Sequence, residues 1–121
     1  MVLASTNKVK RLLCLSLIGQ VSATELARSR DELMMLLADL PAGFSLLTDL
    51  SRLQSMEIGC EKEISWLMEV LDQKGIITIV RVIPEPQQDI GFNILAAFHY
   101  KRRVRSITCR SMEEASRHLS L

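Results

Sequence analysis

The chain is short of net charge, of glycine and of paired cysteine, and each shortage removes a class of function. Its 15 Lys and Arg residues face 14 Asp and Glu, a formal charge of +1. That balance provides no long-range field to draw the protein to nucleic acid or to an anionic membrane. Five glycines in 121 residues form neither of the common phosphate-binding loops, so nucleotide binding has no sequence support. There is no Gly-x-Ser-x-Gly elbow for a serine nucleophile. His99 and His118 are expected on different helices, without His-x-x-x-His or His-Glu-x-x-His spacing, and both read as satisfied or surface side chains. Cys14, Cys60 and Cys109 are odd in number and far apart, with no zinc-knuckle or redox spacing. The sequence therefore implies no catalytic residue, metal or cofactor, and three reduced thiols fit a cytoplasmic protein. No run is long enough to span a bilayer.

What remains is an ordinary folding composition. Apolar residues make up 48% and charged residues 24%, which excludes intrinsic disorder. The length fits one domain, residues 1–121, with no repeat, low-complexity tract or linker. Lys8, Lys10 and Arg11 precede an apolar run and small residues at Val21 and Ala23, a pattern shared with secretory leaders. The run is short and carries Cys14 and Ser16, so it reads as a core strand.

That strand, Leu12 to Val21, is closed by Gly19 and Gln20. Ser22 with Glu25 forms a capping box for a first helix, whose buried stripe is Leu26, Leu33, Leu37 and Leu40 and which Pro41 stops. A second strand, Phe44 to Leu50, leads through a loop, Ser51 to Met56, into a helix from Glu57 to Lys74. Cys60, Ile64, Leu67, Met68 and Leu71 repeat along that helix at core spacing, and Gly75 ends it with Lys74 at the negative pole of its dipole. Ile76 to Ile83 is almost continuously apolar, as expected of a strand covered on both faces, and Pro84 and Pro86 end it. A third helix from about Asp89 to Tyr100, a fourth strand from Val104 to Cys109, and a last helix capped by Ser111 and Glu114 complete the pattern. The order β-α-β-α-β-α-β-α predicts an α/β fold of four βα units, with helices packed on a mostly parallel four-stranded sheet.

Thr48-Asp49-Leu50-Ser51, followed by Met56-Glu57-Ile58-Gly59 opening a helix and then Lys74-Gly75 before a buried strand, resembles the STAS domain. That family includes bacterial anti-sigma-factor antagonists and the cytoplasmic tails of sulfate transporters. The resemblance runs from about Phe44 to the final helix and implies the βα-superhelix fold and a regulatory, protein-binding role. Antagonists enter the corresponding helix through Asp-Ser-Ser-Gly or a close variant, and the second Ser accepts phosphate from a partner kinase. Aligned on Asp49-Leu50-Ser51, Glu57 falls on the Asp and Gly59 on the acceptor Ser, so the phosphoacceptor is missing. The first strand also runs directly into a helix, where the family has further strands.

Three local features bear on a site. Cys60 falls in the first turn of its helix, where the dipole lowers a thiol pKa, but it is also the first residue of the core stripe, and the structural role is expected. Lys101, Arg102, Arg103 and Arg105 beside Tyr100 form a short basic cluster that reads as solvated charge and not as a nucleic-acid surface. From Ile90 to Tyr100 no residue is charged when His99 is neutral. Ile90, Ile94, Ala97 and Phe98 supply one buried face, leaving Phe92, Leu95 and His99 on another. Trp66 and Val70 lie to one side of the second helix's stripe and extend the same idea. A second apolar face on an outer helix points to a partner surface, by expectation a homodimer contact. The competing expectation is an apolar or lipid-binding pocket between the third helix and the sheet. Ser51 and Ser55 are the hydroxyls near the vacant acceptor position, with Ser55 placed to cap the helix.

Overall fold

The computed structural model describes residues 1–83 and 104–121. Its main sheet has five strands in the order β1-β2-β4-β6-β7. β2 (Leu12–Leu17), β4 (Ser45–Asp49), β6 (Thr78–Val82) and β7 (Arg105–Cys109) are mutually parallel. β1 (Val2–Asn7) runs antiparallel along β2, with Val2 opposite Leu17 and Asn7 opposite Leu12. The sheet is thus mixed, and the expected four-stranded parallel sheet gains an antiparallel edge strand.

β1 and β2 form a hairpin, and the basic residues lie at its turn. The Asn7 Oδ1 accepts from the Lys10 amide at 3.1 Å, the Arg11 amide donates to the Lys8 carbonyl at 3.2 Å, and Arg11 takes a positive φ of 50°. An asparagine accepting from the backbone is a common turn nucleus. Only one face of β1 is half-covered, with Val2 and Ala4 against the core, which makes it an edge element.

The expected first strand is two strands. Gly19, at φ +70°, breaks the run after Leu17, and the chain leaves the main sheet to form β3 (Gly19–Val21). β3 pairs in parallel with β5 (Leu53–Met56), placing Gln20 opposite Ser55 and Val21 opposite Met56. The expected loop from Ser51 to Met56 therefore ends in a strand. The supposed departure, a first strand passing straight into a helix, is also corrected: β1 precedes that strand and β3 follows it.

The first helix divides at Ser29 into α1 (Ala23–Arg28) and α2 (Arg30–Ala38). The Ser29 hydroxyl donates to the Glu25 carbonyl at 3.0 Å, a back-bond that competes with the regular ladder and bends a helix. The predicted stripe survives the bend, since Leu26, Leu33, Leu37 and Leu40 are all buried. α3 (Cys60–Lys74) begins three residues later than expected and ends on Gly75 at φ 90°. α4 (Met112–Leu119) opens on the predicted cap, with the Ser111 Oγ accepting from the Glu114 amide at 3.2 Å. The expected third helix and the residues Phe92, Leu95, His99, Lys101, Arg102 and Arg103 lie outside the described residues.

Strand alternation divides the core between two faces. Leu13, Leu15, Leu17, Leu46, Leu50, Ile79 and Ile83 belong to the cluster that includes Leu26, Leu33, Leu37 and Leu71 of α1, α2 and α3. On the opposite face, Leu12, Leu47, Val80, Val82 and Cys109 pack with Ala115 of α4. Arg81 and Thr48 face α3's side and are buried among apolar neighbours. Both faces of β6 are covered, as its continuous apolar run predicted.

Candidate protein-interaction site

The candidate site lies beyond the carboxyl ends of β2 and β4, where the small sheet meets the first turns of α1 and α3. The Glu57 amide donates to the Val21 carbonyl at 3.1 Å, continuing the β3–β5 pairing into the start of α3. The Glu57 carboxylate turns the other way and accepts from the Ala23 amide at 2.8 Å. It therefore satisfies a free amide of α1 instead of belonging to α3, the physical reason that α3 starts late. Gly59 takes the cap position of α3 without a side-chain hydrogen bond. A Cβ at Gly59 would stand 3.2 Å from the Ala23 Cβ, so the two helix starts are in close contact.

Cys60 follows, with its Sγ directed at the Val21 carbonyl at 3.5 Å. Burial pushes its thiol pKa up, a backbone hydrogen bond at Glu57 opposes this, and the carboxylates of Glu57, Glu25 and Glu63 add to the rise. Cys14 and Cys109 are likewise raised by burial, Cys14 with an opposing hydrogen bond from Ser5. The helix start does not activate Cys60, in line with the structural role expected of it.

The hydroxyls sort differently. The Ser51 amide and Oγ both donate to the Asp49 Oδ1, at 3.0 and 2.6 Å, closing a tight turn after β4. Ser55 sits exposed on β5 and does not cap α3, a correction to its expected role.

Along the outer side of α3 runs an open groove of about 630 Å³, lined by Ile58, Gly59, Glu61, Lys62, Ser65, Trp66 and Glu69. Ile58 is 93% exposed at its end. Trp66 is half-buried beneath the Arg30 guanidinium, which lies 4.7 Å from the ring centroid. Arg30 is held there by Glu63 through two bonds, Nε to Oε2 at 2.7 Å and the terminal nitrogen to Oε1 at 2.9 Å. Val70 packs against the core and does not line the groove. Of the expected partner-binding residues, the structure thus brings Trp66 to the groove and turns Val70 away. Ile58 was not singled out in the sequence, because an isoleucine entering a helix reads there as core.

Sequence reasoning also passed over a group at the far edge of the sheet. Donor atoms of Cys109, Glu114 and His118 lie within 4.8 Å of one another. The signal was a carboxylate and an imidazole four apart on one helix, with a cysteine at the preceding strand end.

No family model matches the chain, and no curated protein matches it. Solved structures do match in fold. One is an uncharacterised protein of the DUF3478 family with a SpoIIAA-like fold from Shewanella loihica PV-4, with a TM-score of 0.73, 11% identity, and coverage of 98% of this chain and 92% of that one. The anti-sigma factor antagonist SpoIIAA in its unphosphorylated form gives a TM-score of 0.69 at 12% identity, covering 99% and 98% of the two chains. The Bacillus cell fate determinant SpoIIAA in its phosphorylated form gives 0.66 at 11% identity, covering 98% and 99%. The chain therefore has a STAS-like, SpoIIAA-like α/β fold. Among the described residues no helix is long and apolar enough to cross a membrane.

Proposed function

We propose that this chain is a non-catalytic, regulatory protein-interaction module that associates with a second copy of itself through the groove on α3. The observation that carries the reading is Ile58, almost wholly exposed beside Gly59 and in the same groove as the half-buried Trp66. Docking a large aliphatic side chain contributes roughly 1.5–3 kcal/mol. Glu61, Lys62 and Glu69 surround this apolar pair with charge, the arrangement of an interface core inside a polar rim. The fold supports the reading, since two of its structural neighbours are forms of an antagonist of an anti-sigma factor, a protein that acts on another protein. Gly59 carries no hydroxyl, so a serine phospho-switch at that position lacks its acceptor.

The competing expectation, a pocket for an apolar ligand or lipid between the expected third helix and the sheet, falls on residues outside those described; a different cavity, between α3 and the sheet, is small. That cavity, lined by Leu15, Leu46, Ile64, Met68, Ile79 and Arg81 among others, holds about 50 Å³. Ligand pockets run to about 300–1,000 Å³.

Phe92, Leu95 and His99 remain part of the proposal as further anchors of the same association. Sedimentation of the wild type over a wide concentration range is expected to show a mass rising toward twice that of the chain. Ile58→Asp, Phe92→Asp and Leu95→Asp are each expected to hold it at the monomer, with melts that stay cooperative. A wild type that stays monomeric at every concentration contradicts self-association. Outright unfolding of Phe92→Asp or Leu95→Asp would assign those side chains to the core.

A further inference from the structure

At the carboxyl end of β7, away from the groove, Cys109, Glu114 and His118 converge from two elements. Cys109 ends the strand, its backbone carbonyl fixed by the Ile83 amide at 2.8 Å. Glu114 and His118 are four residues apart on α4 and so share one face, on either side of the buried Ala115 that seats the helix on the sheet. Their donor atoms, one thiol sulfur, one carboxylate oxygen and one imidazole nitrogen, all lie within 4.8 Å of one another. In a tetrahedral site with bonds of about 2.0–2.3 Å, ligand atoms stand roughly 3.5 Å apart. The remaining contraction is within reach of side-chain rotation at the half-buried Glu114 and the exposed His118. The crevice at the carboxyl ends of parallel strands is also where open α/β sheets bind ligands.

We propose that these three residues form a binding site for a zinc-class divalent cation. A thiolate with an imidazole selects a borderline-soft ion over magnesium or calcium, which take all-oxygen sets. A thiolate and a carboxylate together neutralise a doubly charged ion, so the nearby positive end of the α4 dipole does not oppose it. The Glu114 Oε2 already accepts from the Arg110 amide at 3.0 Å. That bond orients the carboxylate as an outer-shell partner orients a ligand, and leaves Oε1 for the ion. Three protein ligands leave the fourth tetrahedral position to water or to a group from solvent. The site is independent of the proposed association, since none of its residues lines the groove on α3.

The test uses the full-length, tag-free chain after treatment with a chelator. Calorimetry is expected to show saturable one-to-one Zn²⁺ binding that excess Mg²⁺ does not compete away. Co²⁺ in place of Zn²⁺ is expected to give a thiolate-to-metal charge-transfer band in the near ultraviolet. His118→Ala is expected to weaken Zn²⁺ binding at least tenfold, the size of a typical loss on disturbing a site. Because His118 is exposed, the melt of its metal-free form is expected to match the wild type. Cys109→Ser is expected to remove the charge-transfer band, and if that buried substitution prevents folding, His118→Ala and Glu114→Gln decide. Absence of saturable Zn²⁺ binding overturns the proposal. So does Zn²⁺ affinity unchanged in both His118→Ala and Glu114→Gln, or a Co²⁺ complex without a thiolate band.

Discussion

Gly75 and Gly43 offer a controlled pair of substitutions, since both take a positive φ, of 90° and 89°, yet differ in what a methyl group would meet. A Cβ at Gly43 meets nothing within 4 Å. Its replacement by Ala therefore carries backbone strain alone, about 1–2 kcal/mol for an L-residue held in the left-handed region. A Cβ at Gly75 falls 2.9 Å from the Ala42 Cβ and 3.4 Å from its Cα. Carbon atoms prefer about 3.5–4.0 Å, so one segment must give way. Neither moves freely, because the Gly43 amide donates to the Gly75 carbonyl at 2.8 Å and clamps the two turns together. Overpacking of this kind adds roughly 1–2 kcal/mol, giving about 2–4 kcal/mol for Gly75→Ala.

With an unfolding entropy of about 2.1 cal/mol/K per residue, each kcal/mol lowers the Tm of a chain this long by roughly 4 °C. Thermal melts should then place Gly75→Ala about 8–16 °C below the wild type and Gly43→Ala about 4–8 °C below it. Removing the obstructing methyl group with Ala42→Gly should rescue Gly75→Ala specifically, with a coupling energy of about 1–2 kcal/mol in a double-mutant cycle. A Gly75→Ala chain no less stable than Gly43→Ala, or a coupling of zero, refutes the close approach. It would also undo the packing that fixes where α3 leaves for β6, and with it the orientation of the groove.

Burial raises the pKa of all three thiols, so an alkylating agent at neutral pH should leave Cys60 and Cys109 of the native protein unmodified, modify Cys14 slowly, and modify all three in denaturant; rapid mass-resolved labelling of Cys60 alone would contradict its structural role. Arg30→Ala removes a bidentate ion pair, with side-chain exposures of 42% and 15%, and the cation above Trp66. After discounting for solvent screening it should cost about 1–2 kcal/mol and shift the emission of the chain's single tryptophan; an unchanged melt and spectrum would show that the contact is absent. An anti-sigma-type kinase should place no phosphate on residues 57–60, where no residue bears a hydroxyl. Stoichiometric phosphate mapped to Ser51 or Ser55 by mass spectrometry would show a relocated switch.

How much of this was legible in the sequence depended on how much of each element is decided by burial. The stripe on α3, the apolar run of β6 and the caps at Ser22 and Ser111 follow from periodicity and local hydrogen bonding, and each is where the residues put it. β1 was missed because its alternation is short and half-exposed, while the neighbouring lysines drew attention as a leader-like cluster. β5 was missed because Leu-Gln-Ser-Met has no fully buried residue, and its identity comes from backbone pairing with β3, a long-range partner. The break at Ser29 and the late start of α3 share one cause: a side chain satisfies a backbone group that propensity assigns elsewhere. The resemblance pointed to the start of α3, whereas Trp66 stood out separately, by its place beside the core stripe of that helix. Ile58 did not, because exposure of an isoleucine is a tertiary fact. The group Cys109, Glu114 and His118 is not legible in the sequence because no histidine pair marks it and only the tertiary fold packs that strand end against the helix.

Hydrogen exchange read by mass spectrometry at low and at high protein concentration tests the interaction surface most directly. Association through α3 with Phe92 and Leu95 as further anchors predicts concentration-dependent protection in residues 57–66 and 92–99, lost in Ile58→Asp, with α4 unaffected. Exchange that is identical at both concentrations, or protection confined to other elements and unaltered by Ile58→Asp, contradicts the assignment of the groove as the interaction surface.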